Sequence, residues 1–195
     1  MDHLSSVELF PHVRIVMGMI IGLGMTRLLM TVAGLIQHPH RARLSALHLL
    51  WMGSILLELV LFWWWEASLY RLSGWSFGIV LFIIGYAITL FLLAALLSPD
   101  NVAEYDGYED FFLQRRHWFF GLLAATFLLD IADTLIKGQE HWGKFDWSYM
   151  IQVPVGLALC LLAWRSVDRR LHLGIVLLHL FYQCFLVLRF FNTVS

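Results

Sequence analysis

Six stretches of the chain are each long and apolar enough to cross a lipid bilayer, and four of them carry charged residues inside the apolar run. A hydrocarbon core of about 30 Å needs roughly 20 residues of helix, so runs of this length predict transmembrane helices. Charge buried in lipid is costly unless it is paired, hydrated or functional. The predicted spans lie near residues 12–36, 45–66, 76–98, 117–137, 148–167 and 171–191.

Composition supports the same class of protein. Hydrophobic residues make up 60% of the 195 residues, and the mean hydropathy of +0.74 exceeds that expected of a soluble domain. Six spans leave no room for a separate soluble domain, so we expect residues 1–195 to form one all-α, integral membrane bundle of about six helices. The net charge of −1 and the scattered basic residues do not indicate nucleic-acid binding.

The loops on one side of the predicted bundle carry more arginine than those on the other. Because cytoplasmic loops are enriched in lysine and arginine, this bias places both termini outside the cytoplasm. Trp63, Trp64 and Trp65 then lie at the outer interface, where aromatic side chains anchor a helix. We expect a bacterial inner membrane or an equivalent membrane.

The two halves of the chain resemble each other weakly. Residues 26–36 align with residues 126–136, and residues 78–86 align with residues 174–182. With three spans in each half, a true duplication would give a 3+3 inverted repeat, an arrangement common in transporters. The alternative is chance similarity between leucine-rich segments. The charged residues do not follow the symmetry, so any site is expected to be asymmetric.

Three carboxylates are the leading candidates for a functional site. Glu58 lies inside the second span, and Asp130 and Asp133 share one face of the fourth at i, i+3 spacing. A functional interpretation is a carboxylate cluster that binds a proton or a cation. In the structural alternative, Arg189 pairs with Glu58 or Asp130. Lys137, one turn further along the fourth span, then pairs with Asp133.

A second polar group is predicted nearer the cytoplasmic side. Arg27 lies inside the first span, and the sixth span presents His179 and Gln183 at a similar depth. Together these three side chains are suited to an anionic or polar ligand, and the alternative is a hydrogen-bonded contact between helices. Gly18 and Gly22 form a GxxxG motif on the first span, which predicts close approach of a neighbouring helix.

Histidines raise the alternative of a haem or quinone protein. His48 and His179 are secondary candidates for ligands of a b-type haem, but no CxxCH sequence is present and no cofactor is predicted. The sequence contains no Ser-His-Asp arrangement, HExxH motif or P-loop. It therefore gives no reason to expect a metal site or an enzyme.

The longest loop, residues 99–116, combines acidic and aromatic side chains. Tyr105, Tyr108 and Phe112 recur at helical spacing and predict a short amphipathic helix, although Gly107 disfavours it. This loop, or the aromatic face in the membrane, is suited to docking a protein partner. The alternative is a solvated linker.

The leading functional hypothesis is a small proton- or cation-linked transporter or channel within the lipid bilayer. It rests on the polar faces of the predicted helices and on the repeat. One alternative is a structural or accessory subunit of a larger membrane complex, with a homo-oligomer also open. A second alternative is a membrane protein that binds haem or quinone.

Overall fold

The computed structural model describes residues 6–38, 43–72, 74–137 and 147–191, and within these ranges the chain is helical with no strand. Two 3-10 helices, Glu66–Arg71 and Val102–Glu104, follow α2 and α3. The α-helices are α1 (Ser6–Gln37), α2 (Ala46–Trp65), α3 (Phe77–Leu96), α4 (Tyr108–Lys137), α5 (Trp147–Arg165) and α6 (Arg169–Phe191).

Five of these helices, α1 to α4 and α6, are long and apolar enough to cross a membrane. The mean hydropathy of their most apolar windows lies between 1.8 and 2.8, and each window holds no more than two charged residues. The apolar part of α5, Ile151–Arg165, is shorter. The prediction of an all-helical protein with several apolar helices suited to a membrane is confirmed.

Serine side chains define the first turns of α2 and α3. Ser45 and Ser76 have extended backbones, and their hydroxyl oxygens accept hydrogen bonds from the backbone N–H groups of His48 and Ile79. Each serine thereby satisfies one of the amide groups that a helix start leaves without a partner inside the helix. The start of each helix is therefore fixed by its own sequence.

The helix α4 begins at Tyr108. The sequence predicted a start near residue 117. Gly107 precedes it with a φ of +105°, in a region of backbone conformation that favours glycine. This residue separates Tyr105 from α4, so Tyr105, Tyr108 and Phe112 do not share one short helix as predicted. Instead, Tyr108 stacks on His48 with their ring centroids 5.0 Å apart.

Helix α2 is central to the bundle. Half of its most apolar window is buried, and it packs mainly against α6, while α1 packs mainly against α3 and α4 packs against α3 and α5. The fully buried Trp51 lies in a group of rings with centroids 4.9 to 6.3 Å apart. This aromatic cluster consists of Trp51, Phe112, Phe119, Phe120 and His172.

The glycines that allow close helix contacts are not those that the sequence indicated. A Cβ atom at Gly18 or Gly22 would meet no other described side chain within 4 Å. At Gly156 on α5, by contrast, a Cβ would lie 2.5 Å from the ring of Phe127 on α4. Close packing of α4 on α5 therefore requires Gly156, and the prediction that the GxxxG motif makes such a contact within this chain is wrong.

Replacing Gly107 by alanine should destabilise the start of α4. The new Cβ would lie 2.9 Å from Cβ of Arg43 and 3.0 Å from its carbonyl oxygen, and the left-handed conformation itself costs a non-glycine residue about 1–2 kcal/mol. We expect Gly107→Ala to lower the thermal midpoint of the detergent-purified protein. Gly74→Ala, where a Cβ meets nothing within 4 Å, is the control, and equal midpoints for both variants would contradict the prediction.

Candidate functional site

Polar side chains of α2 and α6 form a hydrogen-bonded chain between the two helices. The Ser54 hydroxyl donates to Oε1 of Gln183 at 3.1 Å and lies 2.7 Å from Nδ1 of His179. Because that hydroxyl has one hydrogen, His179 must donate from Nδ1 to the hydroxyl oxygen. Gln183 in turn donates from Nε2 to Oε2 of Glu58 at 2.6 Å and to the carbonyl of Ser54 at 3.2 Å.

The chain follows from matched spacings on the two helices. Ser54 and Glu58 are four residues apart on α2, and His179 and Gln183 are four residues apart on α6, so each pair lies on one helix face. The structure therefore brings together three of the predicted residues, Glu58, His179 and Gln183. Ser54 was missed, although its position one turn before Glu58 places it on the same face.

A buried ion-pair cluster lies at the end of α4. The ammonium of Lys137 is 2.8 Å from Oε1 of Glu66 and 2.5 Å from Oδ2 of Asp133, and these side chains are only 5%, 2% and 8% exposed, respectively. We call these three residues the Lys137 triad. The predicted pairing of Asp133 with Lys137 is confirmed. Glu66 was missed because it lies beyond the end of α2, 71 residues from Lys137 in sequence.

Asp130 lies between the two polar groups. It is close enough to Glu58, Glu66 and Tyr86 to interact electrostatically with each of them. Eight residues separate Glu58 from Glu66, roughly 12 Å along a helix. We call Glu58, Asp130, Asp133 and Glu66 the carboxylate column. It extends from the middle of α2 to the residue after the end of α2, where Lys137 contacts Glu66 and Asp133.

The structural alternative that pairs Arg189 with Glu58 or Asp130 stays a prediction. The hydrogen bond of Glu58 goes to Gln183, whereas Arg189 is exposed on α6 and interacts electrostatically with Tyr182. The Tyr182 hydroxyl donates to Oε1 of Gln152 on α5. Residues of α6 therefore connect to both α2 and α5.

Arg27 contacts Asp100 and makes no described hydrogen bond or ion pair with His179 or Gln183, so the structure does not join the predicted three residues through such contacts. Its guanidinium pairs with the carboxylate of Asp100 at 2.9 Å, and the Asp100 side chain is 84% exposed. Asp100 follows the end of α3, so Arg27 is level with a loop.

The acidic loop before α4 is tied to the rest of the chain by arginines. Besides the Arg27–Asp100 pair, Arg115 donates to the Tyr105 hydroxyl at 2.9 Å. Two further ion pairs join the loop and the start of α4 to α6 and to the segment before α2. They are Arg169–Glu109 at 3.4 Å and Arg43–Asp106 at 3.5 Å.

The two histidines considered as haem ligands lie in different surroundings. Nε2 of His48 is 2.8 Å from the carbonyl oxygen of Leu97, whereas Nδ1 of His179 is bonded to Ser54. In the part of the chain that the structure describes, no group of three or more His, Cys, Asp or Glu side chains is arranged to hold a metal ion. The carboxylate column is therefore the leading candidate for a functional site.

Removing the cation of the Lys137 triad should strongly destabilise the protein. In Lys137→Met two carboxylates remain buried without their cation, a change that typically costs about 3–5 kcal/mol. We expect a fall in thermal midpoint on the order of 10 °C for a chain of this size. Arg43→Met is the matched control, since its pair with Asp106 is 83% and 81% exposed and contributes little. Similar midpoints for the two variants would contradict the prediction.

Comparison with known proteins finds no relative of this chain: no family model matches, and no curated protein or solved structure is similar to it. Any functional assignment therefore depends on the side chains of the column and their contacts.

Proposed function

We propose that the chain is a small proton- or cation-linked transporter or channel whose site is the carboxylate column. The observation that supports this proposal is a pair of buried carboxylates, Glu66 and Asp133, around Lys137, with the half-buried Glu58 and Asp130 within electrostatic range. Ionisable groups in membrane-spanning helices typically mark ion pathways or proton relays. The column also adjoins a chain of groups that bind and release protons.

The charge balance of the column favours uptake of a positive ion. Fully ionised, the four carboxylates carry four negative charges, and Lys137 pairs with two of them, Glu66 and Asp133. Like charges at close range disfavour full ionisation in a region of low dielectric constant. A proton or a cation that enters the column reduces this repulsion, which gives the site a thermodynamic reason to bind one.

The hydrogen-bonded chain extends the column towards the centre of α2. Imidazole and hydroxyl groups both donate and accept protons, so His179 and Ser54 are suited to a relay. Gln183 has a different role, because its two N–H groups are directed to Glu58 and to the backbone of Ser54. It orients the Glu58 carboxylate towards α6.

The aromatic cluster closes the polar path at one end. Trp51 is fully buried one turn before Ser54, and its ring packs edge-on against Phe119 and Phe120 with centroids 4.9 and 5.4 Å away. The ring of Trp51 also lies 5.8 Å from that of His179. The polar groups therefore extend from this barrier towards the Lys137 end, an arrangement suited to a path that opens to one side at a time.

The proposal includes six membrane spans. Helix α5 has 19 residues, about 28 Å of helix, which suffices for a thin or locally adapted bilayer. An even number of spans places both termini on one side, outside the cytoplasm by the arginine bias of the loops. The inverted repeat remains a sequence hypothesis, and the proposed site does not depend on it because its residues lie on α2, α4, α6 and the 3-10 helix that follows α2.

Proton flux into vesicles tests this function. We expect the purified chain in liposomes to dissipate a pH gradient, and Glu58→Gln or Asp130→Asn to reduce the rate at least about tenfold, because a proton-transfer group is removed. Circular dichroism and gel filtration should show that both variants are folded. Glu104→Gln, outside the column and hydrogen-bonded to Asn101, should keep the wild-type rate.

Two outcomes would contradict the proposal. One is a wild-type rate no higher than that of empty vesicles under any tested gradient of protons, sodium or potassium. The other is an unchanged rate in both folded variants. Loss of flux together with loss of folding would assign the two carboxylates to stability instead.

A second candidate function is that of a subunit in a larger membrane assembly. The observation that favours it is the uncovered GxxxG face of α1: a Cβ at Gly18 or Gly22 would meet no other described side chain within 4 Å. Only 22% of the most apolar window of α1 is buried inside the chain. Small faces of this kind allow helices of separate chains to approach closely.

The native mass of gently extracted protein tests the second candidate. Particles that contain other proteins in a fixed ratio would support a subunit, and Gly18→Leu with Gly22→Leu should then release them. Gly85→Leu on α3, where a Cβ also meets nothing within 4 Å, is the control. A homogeneous particle that contains only this chain would contradict the subunit function and support a self-contained transporter or channel.

A further inference from the structure

The ammonium group of Lys137 lies between two carboxylate oxygens, in the place that a bound metal cation would take. Its nitrogen is 2.8 Å from Oε1 of Glu66 and 2.5 Å from Oδ2 of Asp133. The second oxygen of Glu66 is also buried and has no hydrogen-bond partner among the described residues. Carboxylate oxygens are the ligands that hard cations such as calcium prefer.

The lysine cannot be displaced from this position as a free ion can. It is one helical turn after Asp133 on α4, so its stem returns the ammonium to the same carboxylates. Only 5% of the lysine side chain is exposed. A covalently attached cation has a high effective concentration at its site, and a metal ion would have to compete with it.

A proton does not face this competition. It binds to a single carboxylate oxygen and needs no coordination shell, whereas a metal cation needs several oxygens at once. Asp130 and Glu58 carry the remaining negative charge of the column, and the hydrogen bond of Glu58 comes from Gln183. Protonation of the column is therefore compatible with an ammonium that stays in place.

We propose that Lys137 is a tethered cation that excludes metal ions from the site between Glu66 and Asp133, so that the column is selective for protons. This inference rests on the proposed transport function for its role, and on the geometry of the Lys137 triad for its chemistry. It makes Lys137 the residue that determines ion specificity. It also predicts that removing the ammonium opens a metal-cation site.

Cation-dependent thermal stability of the detergent-purified protein tests this inference without a flux measurement. The midpoint is measured in sodium, potassium or calcium chloride and in choline chloride of equal ionic strength. For the wild type we expect the same midpoint in all four salts. For Lys137→Met we expect at least one metal cation to raise the midpoint by several degrees over choline, because a ligand that binds the folded state stabilises it.

Two further variants identify the site. The response of Lys137→Met should disappear when Glu66→Gln is added, since one ligand is then lost. Lys137→Arg keeps a tethered positive charge and should behave as the wild type does, with no specific response. Arg43→Met, which removes an exposed cation elsewhere, should also show none.

Two results would overturn the inference. One is a folded Lys137→Met variant that responds to no metal cation beyond choline. Another is a rise in the thermal midpoint of the wild type with a metal cation, relative to choline, that Glu66→Gln removes. This measurement tests the inference even if Lys137→Met does not fold. A wild type without flux would refute the transport function alone, because the cation response is measured on purified protein and does not depend on transport.

Discussion

The buried pairing of Lys137 with Glu66 and Asp133 is the interaction on which the rest of the polar interior depends. Charges in a region of low dielectric constant must be compensated, so the end of α4 is held against the end of α2 at a fixed depth. Two helical turns back from Lys137 and Glu66 lie Asp130 and Glu58, respectively. Once the ends are paired, these two carboxylates must face the same region. The triad thus sets the register that assembles the column.

The opposite end of the bundle is held in a different way. There the ion pairs are exposed, with Asp100 and Asp106 more than four-fifths exposed, and each such pair contributes little free energy. The aromatic cluster around Trp51 adds buried packing there, because large buried rings contribute both area and favourable ring geometry. One end is therefore stabilised by buried charge and the other by buried apolar surface, which gives the molecule an asymmetric interior.

The sequence could predict contacts within one helix better than contacts between helices. The pairing of Asp133 with Lys137 follows from i, i+4 spacing on α4, and the shared face of His179 and Gln183 follows from the same rule on α6. Glu66 could not be placed with Lys137 because no local rule joins residues 71 positions apart. Similarly, the ion pair of Arg27 with Asp100 depends on where α3 ends, which the sequence of α1 does not contain. The start of α4 was also not predicted, because it follows Gly107, whose positive φ cannot be read from the sequence.

The number of carboxylates in the column bears on the choice between a functional and a structural site. A purely structural contact between α2 and α4 would need one carboxylate for Lys137, and apolar side chains of similar volume would often stabilise it as well. A second carboxylate in the triad and the neighbouring carboxylates of Asp130 and Glu58 add repulsion and desolvation beyond what that contact needs. Such an excess lowers the stability of the fold when every group is ionised, and binding of a proton relieves it. This repulsion among the carboxylates, and its relief by a proton, is the physical reason for which we propose proton uptake by the column rather than a role in joining helices alone.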